Sequence, residues 1–546
     1  MTTELESPAL SVSLGPLRGT AADEIGADGG DAMRAAAKAA GVHAFISELP
    51  EGYRTPIGDG GVVVPPSQRL RLAIARLLAA DPPCVRLDDP TGHLGAAAEA
   101  AALPGLEALL RGRRVELAKV SPAVRAAAAR AARGSGEEGR ASADPLTALR
   151  PDPVLTGMPH LLDPHEMAPL LAGVLGESRV PDVRVTSVRY KPGDNVVVQY
   201  DVGTAGGWST AVAYANGQSD LEAKSGRRRN SRLVRQLGDR VTAPRPLAYL
   251  PEVAALVQWL PLDVRLPILS EPGSRLAHRL LKHGLIDGGD SEPELLRYWA
   301  RRRAVLRLGE HVLKVYRHPG DFAEARRGLR ASGALRHVRT APFQAAIASQ
   351  RVTVQGLLPG QSPSLRPRAS GAAGEVLAAL HSDVVLPLHS MSPKRILGKS
   401  VVRAGFVAAL LPELRGELDA LLCELRDRTP VGLQRVTAHG NFHAGQLLAG
   451  PDGLALIDLD RLCIAAPAYD LASFAAHVAY GHADEMELVT ATLDSLLAGY
   501  GSRPAGLAWF LATCLLRRAP VAFRYQDEQW PDAVASMVRS AREALR

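Results

Sequence analysis

The chain has 546 residues, of which 46% are hydrophobic and 22% charged, an ordinary globular balance that excludes wholesale disorder and, at ~150 residues per domain, predicts two or three domains with separate cores. Net charge is only +7 and aromatic residues make up 4%, which argues against nucleic acid as a partner. No run approaches the ~20 apolar residues of a membrane span, the start MTTELESPALSVSLG lacks the features of a secretory signal, and Cys84, Cys423, Cys463 and Cys514 form no close pair, so a reduced, cytoplasmic protein without a zinc site or disulfide framework is expected.

Residues 1–132 are alanine-rich with helical patches. The stretch QRLRLAIARLLAADPP has leucines and alanines at helical spacing and predicts an amphipathic helix. Together with LPEGYRTPIGDGG before it and VRLDDPTGHLG after it, this segment resembles the ATPase domain of ABC transporters, whose motifs read LPEGYxTxVGExG, LSGGQxQRxAxARAL and LLLDEPTSALD. The chemistry of that family is altered here. Val64-Pro65-Pro66-Ser67-Gln68 replaces LSGGQ, and proline cannot offer the backbone N–H that meets a γ-phosphate. Asp88 matches the magnesium-associated aspartate, Asp89 stands in place of the catalytic glutamate, and Lys119 replaces the switch histidine. The sequence contains no GxxxxGK[ST] phosphate loop. The resemblance therefore implies a truncated, degenerate and mostly helical fragment that docks or packs and does not hydrolyse ATP; Asp88 and Asp89 equally suit an exposed strand end.

RGSGEEGRASADP begins a linker expected over 133–149. Beyond it the sequence repeats itself. VVVQYDV, STAVAYANGQSDLEA and APRPLAYLPEVAALVQWLP parallel RAVLRL, EHVLKVYRHPGDFAEA and APFQAAIASQRVTVQGLLPG, with Asp220 on Asp321 and Ala243-Pro244 near Ala341-Pro342. Each copy predicts a two-stranded hairpin, a helix and a further strand pair, over 150–300 and 301–360. Ala213 of the first copy falls where the second has Lys314. That lysine, one of eight in the chain, sits among apolar strand formers; alternation alone permits a solvent-facing position. Arg227, Arg228, Arg229, Arg232 and Arg235 read as a solvated face.

Residues 361–546 predict a helical lobe interrupted at 436–472. There Thr437-Ala438-His439-Gly440-Asn441-Phe442-His443-Ala444-Gly445-Gln446 precedes a Pro-Asp-Gly turn, the strand Leu454-Ala455-Leu456-Ile457-Asp458-Leu459-Asp460, and Pro467-Ala468-Tyr469-Asp470-Leu471-Ala472. The turn suits a hairpin. Polar side chains on a loop beside an apolar strand ending in carboxylates offer the oxygen ligands a magnesium ion takes beside nucleotide phosphates.

This constellation resembles the aminoglycoside phosphotransferase family, whose pattern is HGDxHxxN, IDxD and DPAxDLA, over about 180–546. The resemblance implies an α+β, bilobal, protein-kinase-like fold with a duplicated N-lobe-like unit, and ATP and Mg2+ as cofactors. Asp458 and Gln446 would bind the metal, with Asp460 beside them; glutamine replaces the family's usual asparagine, as in maltokinase-like relatives. His439, His443 and Asp470 would brace the catalytic loop. Asn441 departs from the pattern, since the family has an aspartate there to accept or orient the acceptor proton. Lys314 would pair the α- and β-phosphates, Glu324 would be its helix partner, and Gln355-Gly356 would grip adenine at the hinge. Leu308-Gly309-Glu310 is the candidate phosphate-loop turn. The expected activity is phosphoryl transfer from ATP to a hydroxyl of a small molecule or peptide. The alternative is a pseudokinase that binds nucleotide and regulates a partner such as an ABC transporter.

Overall fold

The computed structural model describes most of residues 10–131 and 149–546, with breaks of which the longest are 12–18, 285–291, 364–369 and 480–484. The chain divides into two units, Met1–Ser142 and Ala143–Arg546. The expected linker falls almost wholly outside the described residues.

In the first unit, strands β1 (Leu10–Ser11), β2 (Cys84–Asp88) and β3 (Arg114–Ala118) form a parallel sheet in that order. Among the described residues, helices make up most of the chain between them. Helix Pro66–Ala80 buries Leu70, Ile74 and Leu77, a spacing that sets one face inward and contributes ~1.5–3 kcal/mol per side chain. Pro65 and Pro66 open it, a position where proline's missing N–H costs no intrahelical bond. The N–H groups of Gln68 and Arg69 both turn back to the Pro65 carbonyl. The helix start thus offers few donors to any ligand. Asp89 and Lys119, like the side chain of Asp88, lie outside the described residues.

The second unit carries two five-stranded antiparallel sheets of matching topology. Strands β4 (Val183–Lys191), β5 (Asn195–Thr204), β6 (Gly207–Asn216), β7 (Leu247–Leu250) and β8 (Ala255–Trp259) run in the order β4-β5-β6-β8-β7. Strands β9 (Glu294–Trp299), β10 (Arg303–Leu308), β11 (His311–Tyr316), then β13 (Phe343–Ile347) and β14 (Val352–Gly356) run β9-β10-β11-β14-β13. The two-residue strand β12 (Arg339–Thr340) belongs to a sheet of the helical lobe. Each large sheet has a helical crossover between its third and fourth strands in chain order; the repeat places a helix between two strand pairs, and each sheet carries one further strand, β4 or β9, ahead of its first pair. The second sheet starts earlier than expected: β9 pairs with β10, so a boundary at 300/301 would cut the turn between them.

Strand alternation explains how both faces of the first sheet are used. Val196, Val198, Tyr200 and Val202 join the large core, whereas Val197 packs with Val212 and Ala300 on the other side. Ala213 is completely buried in the large core, so the first copy has no cation where the second has Lys314.

The helical lobe encloses two small sheets. Strands β16 (Leu447–Gly450) and β17 (Gly453–Leu456) form the expected hairpin about Pro451-Asp452, with β12 alongside, and β15 (Val436–Ala438) pairs with β18 (Cys463–Ala465). Helices Gly371–Ser382 and Glu485–Tyr500 cross very closely. A Cβ on Gly374 would stand 2.1 Å from the Leu496 carbonyl oxygen, so only glycine permits the approach.

Candidate active site

Alternation along β11 sends Leu313 and Val315 into an apolar core and Lys314 and Tyr316 to the opposite face. Lys314 is 6% exposed. It does not face solvent. Its ammonium donates to Asp458 Oδ1 at 2.5 Å and Asp460 Oδ1 at 2.7 Å. Arg303, opposite Tyr316 on β10, donates to Asp460 Oδ2 at 3.0 Å and lies 3.5 Å from Asp458. The Tyr316 hydroxyl donates to Asp460 Oδ2 at 2.8 Å. Burial disfavours the Asp458 carboxylate, but Lys314 and Arg303 outweigh it and hold its pKa far below the usual range. Burial likewise disfavours the Lys314 ammonium, yet Asp458 and Asp460 raise its pKa. Lys314 and Arg303 thus meet the two carboxylates in one cluster between the second sheet and the helical lobe.

Asp458 follows β17 in the left-handed region, at φ 59°, a conformation that costs most residues ~1–2 kcal/mol. The loop 439–446 is held against it. The Ile457 N–H donates to the Gln446 carbonyl at 2.9 Å, and His439 Nε2 bonds the Ile457 carbonyl at 3.0 Å. Asp470, wholly buried at the start of helix Ala468–Val478, accepts the N–H of His439 at 2.6 Å and of Gly440 at 2.9 Å, and bonds His381 Nε2 at 3.3 Å. Gly440 is required as glycine: its φ is 82°, and a Cβ would lie 2.3 Å from the Arg461 carbonyl oxygen. Phe442 anchors the loop in the core beside Phe474, 5.4 Å between ring centres. Asn441, between these two pinned residues, is half-buried.

The donor set can be tested against a magnesium ion. The Gly445 N–H donates to His443 Nδ1 at 3.2 Å. Burial keeps the His443 ring neutral, with its pKa pushed down to about 3. Its proton is then on Nε2, 2.9 Å from the Gln446 amide. As placed, Gln446 Nε2 donates to Asp458 Oδ2; with the amide turned over, its oxygen would accept the His443 Nε2–H and face that carboxylate oxygen, a pair of acceptors that a cation between them would satisfy. The same amide position is 3.4 Å from Asp458 Oδ2. Adjacent ligands of octahedral magnesium, with bonds of ~2.0–2.1 Å, stand about 3 Å apart. Gln446 and Asp458 thus fit the ion. Asp460 fits less well, because Lys314 occupies one of its oxygens and Arg303 and Tyr316 the other; it anchors cations. Among the described residues no group of three or more His, Cys, Asp and Glu could hold a metal, so phosphate oxygens would have to share the ion, as magnesium commonly requires.

Three expectations need correction. Glu324 is not the partner of Lys314: it lies 3.5 Å from His389 Nε2, on helix Pro319–Ala331. The turn Ala300-Arg301-Arg302 leads into Arg303, which meets the carboxylates, whereas Leu308-Gly309-Glu310 joins β10 to β11 at the sheet's other end. At the hinge, the Gly356 N–H already donates to Pro342 and the Leu357 N–H to Glu310, while the Gln355 side chain is buried. Arg303, Tyr316 and His381 were missing from the sequence reading. Only the placement of Arg303 opposite Tyr316, once the hairpin register is known, could have suggested the first two.

Residues 285–510 match the phosphotransferase enzyme family. Over 78 residues the chain is 47% identical to ABC transporter B family member 19 of Arabidopsis thaliana, covering 14% of this chain and 6% of that protein. Over 81 residues it is 47% identical to an ATP-dependent lipid A-core flippase of Alkalilimnicola ehrlichii, covering 15% of this chain and 14% of the flippase. The chain therefore spans only a small part of these relatives, and the similarity lies in its N-terminal region. Among solved structures, a choline/ethanolamine kinase family protein from Mesorhizobium loti is 15% identical, covering 50% of this chain and 94% of its own, with a TM-score of 0.36. An aminoglycoside phosphotransferase from Streptomyces rimosus is 20% identical, covering 44% and 98%, with a TM-score of 0.35. The chain thus carries an N-terminal stretch similar to ABC transporters and a segment, residues 285–510, that matches the phosphotransferase enzyme family.

Proposed function

We propose that the C-terminal unit is an ATP- and magnesium-dependent phosphotransferase acting on a hydroxyl of a small molecule or peptide. The observation that carries this reading is the contact of Lys314 with Asp458 at 2.5 Å, with the Gln446 amide beside the same carboxylate. A cation for phosphates and an oxygen pair for magnesium then occupy one buried spot. Lys314 would exchange part of its bond to Asp458 for phosphate oxygens, and Arg303 would remain to balance the carboxylates. Bound magnesium would supply neutralisation of the phosphate charge.

Asn441 sets the rate expected. An amide orients an acceptor hydroxyl but does not take its proton, and general-base help is typically worth 10²–10⁴-fold. Phosphoryl transfer rests mainly on positioning and electrostatics, so slow turnover is consistent with this residue. Asn441 also favours a second reading: a nucleotide-binding regulator whose N-terminal fragment docks to a partner such as an ABC transporter.

The test is ATP consumption with and without magnesium over a panel of amino sugars, amino alcohols, sugars and hydroxyl peptides. The phosphotransferase reading expects slow wild-type turnover that rises at least tenfold in Asn441→Asp. Turnover in the variant alone favours the regulator. Absence of magnesium-dependent nucleotide binding in both proteins overturns both readings.

A further inference from the structure

The turn between β9 and β10 separates two arginines. Arg303 enters the Asp458 and Asp460 cluster, whereas Arg301 turns to the first sheet, its guanidinium 3.8 Å from the centre of the Tyr214 ring. Arg301 is 3% exposed and adopts φ 59°. Its Nε and Nη1 atoms are buried with no hydrogen-bond partner. The buried acid beside it, Asp263, is already engaged. Its Oδ1 accepts the N–H groups of Arg265 and Leu266, and its Oδ2 accepts the Tyr298 hydroxyl and the Arg301 N–H. Burial pushes the Arg301 pKa down to about 10, opposed by Asp263 and reinforced by Arg265. A buried cation with unfilled donors is unfavourable unless something else supplies acceptors.

A cavity of about 110 Å³ opens onto this guanidinium. Lys224, Arg227, Arg229 and Arg265 line it with Arg301 and Tyr214, and no carboxylate does among the described residues. These cations come from separate elements: helix Leu221–Ser225, the start of helix Arg228–Leu237, the loop after β8 and the β9–β10 turn. Like charges gathered from four segments repel one another unless a multivalent anion sits among them. Asn230 and the apolar Leu221, Leu256 and Val264 complete the wall, and the apolar part suits an organic moiety attached to that anion. Lys314, Gln446 and Asp458 do not line it.

We propose that this cavity binds the phosphate group of a phosphorylated small molecule, with Arg301 at its floor and Arg227 and Arg229 at its mouth. Guanidinium groups match the oxygens of a phosphate in paired, charge-assisted bonds. The inference is independent of the phosphotransferase reading.

Calorimetric titration of the full chain with inorganic phosphate, and with acetate at equal ionic strength, tests it. Phosphate should bind and acetate should not. The double variant Arg227→Ala/Arg229→Ala alters only exposed side chains, so it should fold and yet weaken phosphate binding at least tenfold. Arg301→Gln should do the same. Lys314→Met should keep the part of the binding that depends on Arg227 and Arg229, which separates this site from the active site. Equal phosphate affinity in wild type and the double variant, equal binding of acetate, or a loss confined to Lys314→Met overturns the proposal.

Discussion

Replacing Lys314 by methionine removes one charge and keeps the length of the side chain. In the wild type its ammonium lies 2.5 Å from Asp458 and 2.7 Å from Asp460. In the variant Arg303 is the remaining cation beside both carboxylates, and Tyr316 still donates to Asp460. Removing one partner of a buried ion pair costs ~3–5 kcal/mol, and that loss is expected at neutral pH. The pH dependence fixes the cause. In the wild type the Asp458 pKa is depressed by Lys314 and Arg303 against burial, so its stabilisation is present above the unfolded value of ~3.9 and is lost as pH falls below it. Without Lys314, burial raises that pKa, and protonation relieves part of the cost. The deficit of the variant should therefore shrink from pH 7.5 to pH 5, by ~1.4 kcal/mol for each unit by which pH drops below the new pKa. All five tryptophans lie in Ala143–Arg546, so their fluorescence in urea, with chelator present, reports this unit alone. A variant as stable as the wild type, or a deficit that does not change with pH, would refute the reasoning.

Other perturbations follow the same physics. His443 and His477 stack at 4.0 Å, and burial pushes their pKa values down to about 3 and about 2. Below the unfolded value of ~6.5 only the unfolded chain takes up these protons, so stability should fall with pH by ~1.4 kcal/mol per unit for each ring; His477→Phe should lower the slope between pH 6 and pH 4.5 by about that amount, and an unchanged slope counts against it. Asp470→Asn should cost at least ~2 kcal/mol, because charged acceptors contribute ~1.5–3 kcal/mol per hydrogen bond, and a loss below a quarter of that in urea melts would contradict the bracing role. Gly440→Ala should abolish folding of the helical lobe, since its Cβ meets a carbonyl at 2.3 Å. Gly453→Ala, at φ 94° with open space around it, should cost only ~1–2 kcal/mol; equal losses by thermal melting would refute the distinction.

The parts of the site that share a short stretch of chain were legible. Asp458, Gln446, His439 and Asp470 lie within 436–472, where a turn and two buried strands fix their relative places. Lys314 was legible because an apolar strand seldom carries a cation and because the repeat puts Ala213 in its place. What joins distant segments was not legible. Arg303 meets Asp460 across 157 positions, and nothing local distinguishes it from Arg301 or Arg302, which precede it. Glu324 was misassigned because helical proximity does not reveal which face a strand lysine uses; here that face meets the carboxylates of the other lobe. The arginines at 227 and 229 read as a solvated face because the buried guanidinium below them arrives from the second sheet. The duplication itself was visible in the two strand patterns, while β9 was hidden because its residues 294–296 are exposed at a sheet edge and carry no inward-outward alternation.

In the proposed site, Asp458 and Gln446 hold a magnesium ion shared with the phosphates that Lys314 binds. Calorimetric titration with a non-hydrolysable ATP analogue, with and without magnesium, in wild type, Asp458→Asn and Gln446→Leu, tests it most directly. Magnesium should tighten nucleotide binding in the wild type, and this gain should disappear in Asp458→Asn and fall in Gln446→Leu. Wild-type affinity indifferent to magnesium, or a full magnesium effect retained in Asp458→Asn, would contradict it.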